Sequence, residues 1–209
     1  MQEASENNRR MGAAALAESE RFFMKEGLVH RAMDAITAKI DELKIPYAVC
    51  GGMALNGHGF ERVTVDVDIL VDAEGLKKIH EKLDGLGYLP PFAGSKNLKD
   101  TTTGVRIEFL VAGQYPGDGK PKPVAFPDPA NVSVEIDGVH YLRLPTLIEL
   151  KLASGMTGGV VRLKDLADVV SLIQILKLPK DFSNQLNPYV RPKFDELWDG
   201  VANAPAFEP

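Results

Sequence analysis

Residues 51–70 read GGMALNGHGFERVTVDVDIL, and the fold turns on how this stretch is taken. A glycine pair, Gly51-Gly52, follows the short apolar run from Tyr47 to Cys50. Two aspartates one residue apart, Asp66 and Asp68, then sit inside a second apolar run. From Val63 to Val71 the alternation is strict. It predicts a strand with Val65, Val67 and Ile69 on one face and Asp66 and Asp68 on the other. Same-face neighbours on a strand lie about 7 Å apart. Carboxylates that close repel each other, and in a dry site one is driven toward protonation. Either the pair lies on a solvated strand face, as alternating polar residues commonly do, or a cation compensates it.

Upstream, Leu28, Val29, Ala32, Met33, Ile36, Ile40 and Leu43 recur at helical spacing, and Pro46 lies just beyond. Tyr47–Cys50 reads as a short strand, Gly51-Gly52 as a tight turn, and Met53–Gly57 as a short helix. Downstream, Asp72 is a good N-cap for a helix to about Leu86, striped by Leu76, Ile79, Leu83 and Leu86. Val105–Val111 is a third strand carrying Glu108. The Gly- and Pro-rich residues between Gly113 and Pro129 must be irregular. Asp137-Gly138 is the preferred two-residue turn of a hairpin, Val132–Ile136 with Val139–Leu142. Thr146 and Glu149 have the spacing of a capping box for a helix that Gly155–Gly159 breaks. A strong helix follows over Val161–Leu178, and a last short one around Phe194–Trp198. The order predicts an α+β chain: a mixed sheet flanked by helices, with C-terminal helices.

The chemistry follows from the acids. Mg²⁺ takes one or two carboxylates and fills its other positions with water and phosphate oxygens. With Glu108 on an adjacent strand facing the same way, three carboxylates would suffice for two metal ions and an in-line nucleotidyl transfer. A glycine pair lets backbone approach a ligand closely, and the helix after it directs N–H groups at an anion. Single residues admit plainer readings. Thr64 suits any strand, and Arg62 is a surface charge or a neutraliser of Asp66 or of phosphate. Arg162 with Asp165 and Lys164 with Asp168 have the spacing of ordinary helix-surface ion pairs. His58, His80 and His140 show no zinc-like spacing, and the one cysteine, Cys50, reads as a small core residue.

The pattern of a hydrophobic residue, Gly51-Gly52, thirteen residues, then Asp66-Val67-Asp68-Ile69 resembles the signature of the polymerase-β-like nucleotidyltransferases. Its finer spelling is Gly-Gly-x-Ala-Leu, Arg62-x-Thr64-x-Asp66-x-Asp68, Lys151, and Arg162-x-Lys164-Asp165-x-x-Asp168. That looks like the abortive-infection (type IV toxin–antitoxin) nucleotidyltransferases, over roughly residues 45–176. The resemblance implies Mg²⁺-dependent transfer of an NMP from an NTP to an acceptor hydroxyl on tRNA, protein or a small molecule. It makes Asp66, Asp68 and Glu108 catalytic metal ligands. Gly51, Gly52, Arg62, Thr64, Lys151, Arg162, Lys164 and Asp165 become nucleotide- and phosphate-binding, Lys151 by direct phosphate contact. A catalytically weak nucleotide-binding module and a toxin with a cognate antitoxin are the alternatives.

Three parts are expected: an arm over residues 1–26, helical or partly disordered; a catalytic core over 27–145; and a helical part over 146–209 packed on it. A net charge of −5 supplies no global basic field for nucleic acid. No run approaches the roughly 18 apolar residues of a membrane span. The N-terminal stretch lacks the basic start of a signal peptide. A cytoplasmic location without a membrane partner is the expectation.

Overall fold

The sheet is built around the two strands that carry the acids. In the computed structural model, which describes residues 14–22 and 24–204, β2 (Asp66–Val71) and β5 (Arg106–Val111) pair in parallel at its centre. β1 (Ala48–Val49) lies antiparallel on the other side of β2 and runs parallel to β7 (Val139–Leu142). β6 (Ser133–Ile136) completes a hairpin with β7. On the far side β3 (Tyr88–Leu89) and β4 (Leu98–Asp100) extend the sheet from β5. The seven-stranded order is β3-β4-β5-β2-β1-β7-β6. The expected α+β architecture, a mixed sheet flanked by helices, is what the chain adopts. Glu108 stands on β5, which pairs in parallel with β2 and antiparallel with β4.

Residues 14–22 are helical (α1). The rest of the expected N-terminal arm up to residue 13, together with residue 23, lies outside the described residues. α2 (Leu28–Glu42) buries the predicted stripe, with Ala32, Ile36 and Ile40 fully enclosed. α4 (Ala73–Leu83) starts at Asp72, whose carboxylate accepts from the Gly75 N–H at 2.6 Å. It ends at Leu83, short of Gly87, because Gly85 and Gly87 both turn the chain at positive φ. Leu86 is therefore exposed rather than part of the stripe. The short strands β3 and β4 carry too little alternation to stand out in the sequence. Asp137 and Gly138 both have positive φ, as a hairpin turn of this type requires.

The C-terminal helices differ from expectation in detail. A single turn, α5 (Pro129–Val132), precedes β6 and takes up Val132. α6 (Leu144–Thr157) has no side-chain cap, and the Thr146–Glu149 box does not form. Glu149 instead accepts from the Asn187 backbone N–H, tying α6 to the chain beyond α7 (Leu163–Ile175). The chain breaks at Gly158 and Gly159, not at Gly155, which lies inside α6. A Cβ at Gly155 would sit 2.5 Å from Leu166 Cγ, so the glycine lets α6 and α7 cross at close range. α7 is preceded by a 3₁₀ turn over Val160–Arg162. α8 (Arg191–Ala202) is longer than expected and packs on α7. Among the described residues no helix is long and apolar enough to cross a membrane.

Candidate active site

The glycine pair, the acids and the distal helix motif meet in one cleft of about 470 Å³. α3 (Gly51–Gly57) starts at Gly51 itself, so the pair opens the helix rather than forming a separate turn before it. Gly51 has φ +57, and a Cβ there would lie 1.9 Å from Asp68 Oδ2. At Gly52 a Cβ would lie 2.7 Å from Thr64 Cβ. The glycines thus first make room for the chain's own Asp68 and Thr64. The Cys50 N–H donates to the Asp68 carbonyl at 2.8 Å and locks the two segments together.

The strand is shorter than the alternation suggests, because residues 60–65 are irregular. Asn56 donates to the Arg62 carbonyl (2.8 Å) and accepts from its N–H (3.0 Å), folding the segment back over α3. Val65 is left 78% exposed instead of joining Val67 and Ile69 in the core. That same fold-back brings Arg62 and Thr64 into the cleft. Thr64 Oγ1 donates to Asp66 Oδ1 at 2.9 Å, so Thr64 orients an acid. The parallel register sets Asp66 beside Arg106 and Asp68 beside Glu108.

Among the described residues no donor reaches the Asp68 carboxylate. Burial first, then the charges of Asp66 and Glu108, push its pKa up to about 7; Lys151 and Lys164 pull the other way. Burial also raises the Cys50 thiol, whose Sγ donates to the Ala48 carbonyl; it is a core residue, as expected.

The opposite wall comes from α6 and α7. Lys151 Nζ donates to Asp168 Oδ2 at 2.7 Å and to Asp165 Oδ1 at 3.3 Å. Ser154 Oγ donates to Asp165 Oδ2 at 2.7 Å, and Arg62 pairs with Asp168 at 2.5 Å. Lys151, Asp165 and Asp168 are all buried. The surface pair expected between Lys164 and Asp168 does not form, whereas Arg162 does reach Asp165, at 3.8 Å. Lys164 is exposed and lines the cleft with no ion pair among the described residues. Lys151 therefore offers no free ammonium for phosphate, and Asp165 faces a lysine and a serine.

Every site residue singled out in the sequence lines this cleft. Reading the sequence missed Arg106 and Ser154, although Arg106 stands two residues before Glu108 and so shares its face. It also missed an apolar end formed by Leu110, Phe126, Leu142, Leu147 and Leu150. His58 is turned away, its Nε2 2.7 Å from the Leu142 carbonyl oxygen.

Solved structures similar to the chain include the antibiotic-resistance factor ANT(2″)-Ia, at 14% identity over 79% of this chain and 90% of that one, TM-score 0.48. A nucleotidyltransferase candidate from H. pylori matches at 14% identity, 81% and 84% coverage, TM-score 0.40. One from Thermotoga maritima matches at 18% identity, 71% and 95% coverage, TM-score 0.39. The likeness is remote. No family model matches the chain, and no curated protein matches it significantly.

The residues fit a metal ion in part. Among the described residues no three acid, imidazole or thiolate groups stand together closely enough to hold one, so the expected three-carboxylate centre is not assembled. Glu108 is engaged by Arg106. Asp66 and Asp68 do suit a hard divalent ion, which needs only one or two carboxylates. Asp68, crowded by like charge and without a donor, is the group that a cation would relieve most.

Proposed function

We propose that the chain is a Mg²⁺-dependent nucleotidyltransferase, moving an NMP from an NTP to an acceptor hydroxyl. The observation that carries this reading is the facing of two walls across one cleft. Asp66, Asp68 and Glu108 stand on parallel strands, opposite Lys164 and the buried Lys151–Asp165–Asp168 network that the half-buried Arg62 joins. Asp66 and Asp68 would hold the ion, which when bound neutralises charge on the phosphoryl group and its leaving pyrophosphate. Thr64 keeps Asp66 oriented by its hydrogen bond. Lys164, with no ion pair among the described residues, takes the phosphate contact that the resemblance gives to Lys151. Lys151 and Arg62 hold the α7 acids in place and so position Lys164 and Arg162 at the rim. A cleft carboxylate receives the proton of the acceptor hydroxyl as the oxygen attacks.

The abortive-infection kinship, a cognate antitoxin and a cytoplasmic location belong to the same reading. The kinship rests on the Arg162-x-Lys164-Asp165-x-x-Asp168 motif, every named residue of which lines the cleft; the location rests on the absence of a basic leader and of a membrane-length apolar run in the sequence, and belongs to this reading. So does the division into a core over residues 27–145 and a helical part after it. The acceptor is tRNA, protein or a small molecule. A second reading, a nucleotide-binding module with weak turnover, is favoured by one observation: Glu108 is paired with Arg106 rather than free for a metal.

Calorimetric titration of NTPs with Mg²⁺ into wild type and into an Asp66→Ala/Asp68→Ala double variant tests the site. Binding is expected only to wild type, and equal binding to both would sink the assignment. Labelled NTPs incubated with RNA, protein and small-molecule acceptors separate the two readings, because the binding module yields no labelled product.

A further inference from the structure

The sheet register places Arg106 beside Asp66 and Glu108 beside Asp68, all on the cleft face. Arg106 could serve Asp66 across the strands. Instead its guanidinium donates to Glu108 Oε1 along its own strand. Asp66 already receives the Thr64 hydroxyl, whereas Asp68 receives no donor among the described residues. The arginine thus pairs with the acid that faces Asp68 from the neighbouring strand.

We propose that Arg106 is a positioning residue, a latch that holds Glu108 out of the metal centre until a divalent cation competes for it. The inference rests on the nucleotidyltransferase reading of the cleft. The arginine side chain is 58% exposed and its partner 27% exposed. A pair that wet is weakly held, so it suits a reversible contact better than a structural one. The latch ties Glu108 to a cation of its own strand rather than to the neighbouring aspartates. When a cation arrives, Glu108 leaves the guanidinium and completes the set with Asp66 and Asp68. The same latch accounts for two facts together: all three acids share one face, yet they do not converge.

The test is Mn²⁺ titration of the nucleotide-free full chain, read by electron paramagnetic resonance. The proteins are wild type, Arg106→Gln, Arg106→Lys, Glu108→Gln and Arg106→Gln/Glu108→Gln. Arg106→Gln should bind Mn²⁺ about fivefold more tightly than wild type, the size that release of a half-exposed pair allows. Arg106→Lys should stay near wild type. The gain should vanish in the Glu108→Gln background. Unchanged affinity in Arg106→Gln, or a gain that persists without Glu108, overturns the latch while leaving the metal site standing. Absence of Mn²⁺ binding in wild type and Arg106→Gln alike overturns the metal reading of the cleft, and the latch with it.

Discussion

Asp68 gives the sharpest prediction, because its environment opposes its charge before any ligand arrives. Burial, with the charges of Asp66 and Glu108, lifts its pKa from an ordinary 3.8 to about 7. A raised carboxyl keeps its proton in the folded state over a range where the unfolded chain has released it. Stability therefore falls as pH rises from about 4 to about 7. At about 1.36 kcal/mol per unit the whole shift is worth about 4 kcal/mol. More than half of that is lost between pH 5 and pH 8. Asp68→Asn fills the same space and carries no titration. Urea denaturation in the presence of a chelator, on both proteins at both pH values, gives a double difference in which the titrations not coupled to Asp68 cancel. Wild type should lose about 2 to 3 kcal/mol more than the variant over that interval. A double difference under about 0.5 kcal/mol, within the scatter of such extrapolations, would refute the idea that Asp68 is an uncompensated acid. Mg²⁺ at pH 8 should stabilise wild type and leave Asp68→Asn nearly unmoved.

Gly51→Ala should destabilise by more than 1 kcal/mol, since it adds a side chain at positive φ and drives a Cβ into Asp68. Denaturation would show the loss, and Mn²⁺ titration the displaced carboxylate. Lys151→Met leaves Asp165 and Asp168 buried with Arg62, Arg162 and the Ser154 hydroxyl as remaining partners among the described residues; a cost of about 3 kcal/mol is expected in denaturant melts, as for other broken buried pairs. Lys164→Ala should weaken NTP binding in calorimetry while leaving stability unchanged, because the side chain is exposed and pairs with no acid. His30, buried under Phe22 with an unpartnered Nδ1, has its pKa lowered by burial. Its contribution is complete above the ordinary imidazole value and lost as pH falls through the lowered one. His30→Leu should therefore flatten the acid limb of a pH–stability curve.

The acids of β2 were legible because a strand's period of two is local. Asp66 and Asp68 declare their shared face in six consecutive residues. The hairpin at Asp137-Gly138 and the N-cap at Asp72 were readable for the same reason, each being a matter of a few adjacent residues. The start of β2 was misread, since Val63 and Val65 alternate correctly but Asn56 captures the backbone at Arg62. The Thr146–Glu149 box failed likewise. A distant backbone N–H at Asn187 outbid the local one for Glu149. β3 and β4 were invisible because two or three residues carry no periodicity.

The sequence by itself determined the class of sheet and the face on which the carboxylates of β2 stand. These follow from spacing along one chain, where covalent geometry sets the direction of each side chain. Only the tertiary structure decided what each site residue does. Lys151 and Lys164 are both lysines near a glycine-broken helix pair, yet one is buried between two aspartates and the other is free. Glu108 faces the pair of aspartates, yet an arginine two residues away holds it. Charge partnerships of this kind depend on which strands and helices meet across tens of residues. Burial sets their strength, and neither is written in local spacing. In residues 51–70 the glycines proved to make room for the chain's own side chains, Gly51 for Asp68 and Gly52 for Thr64.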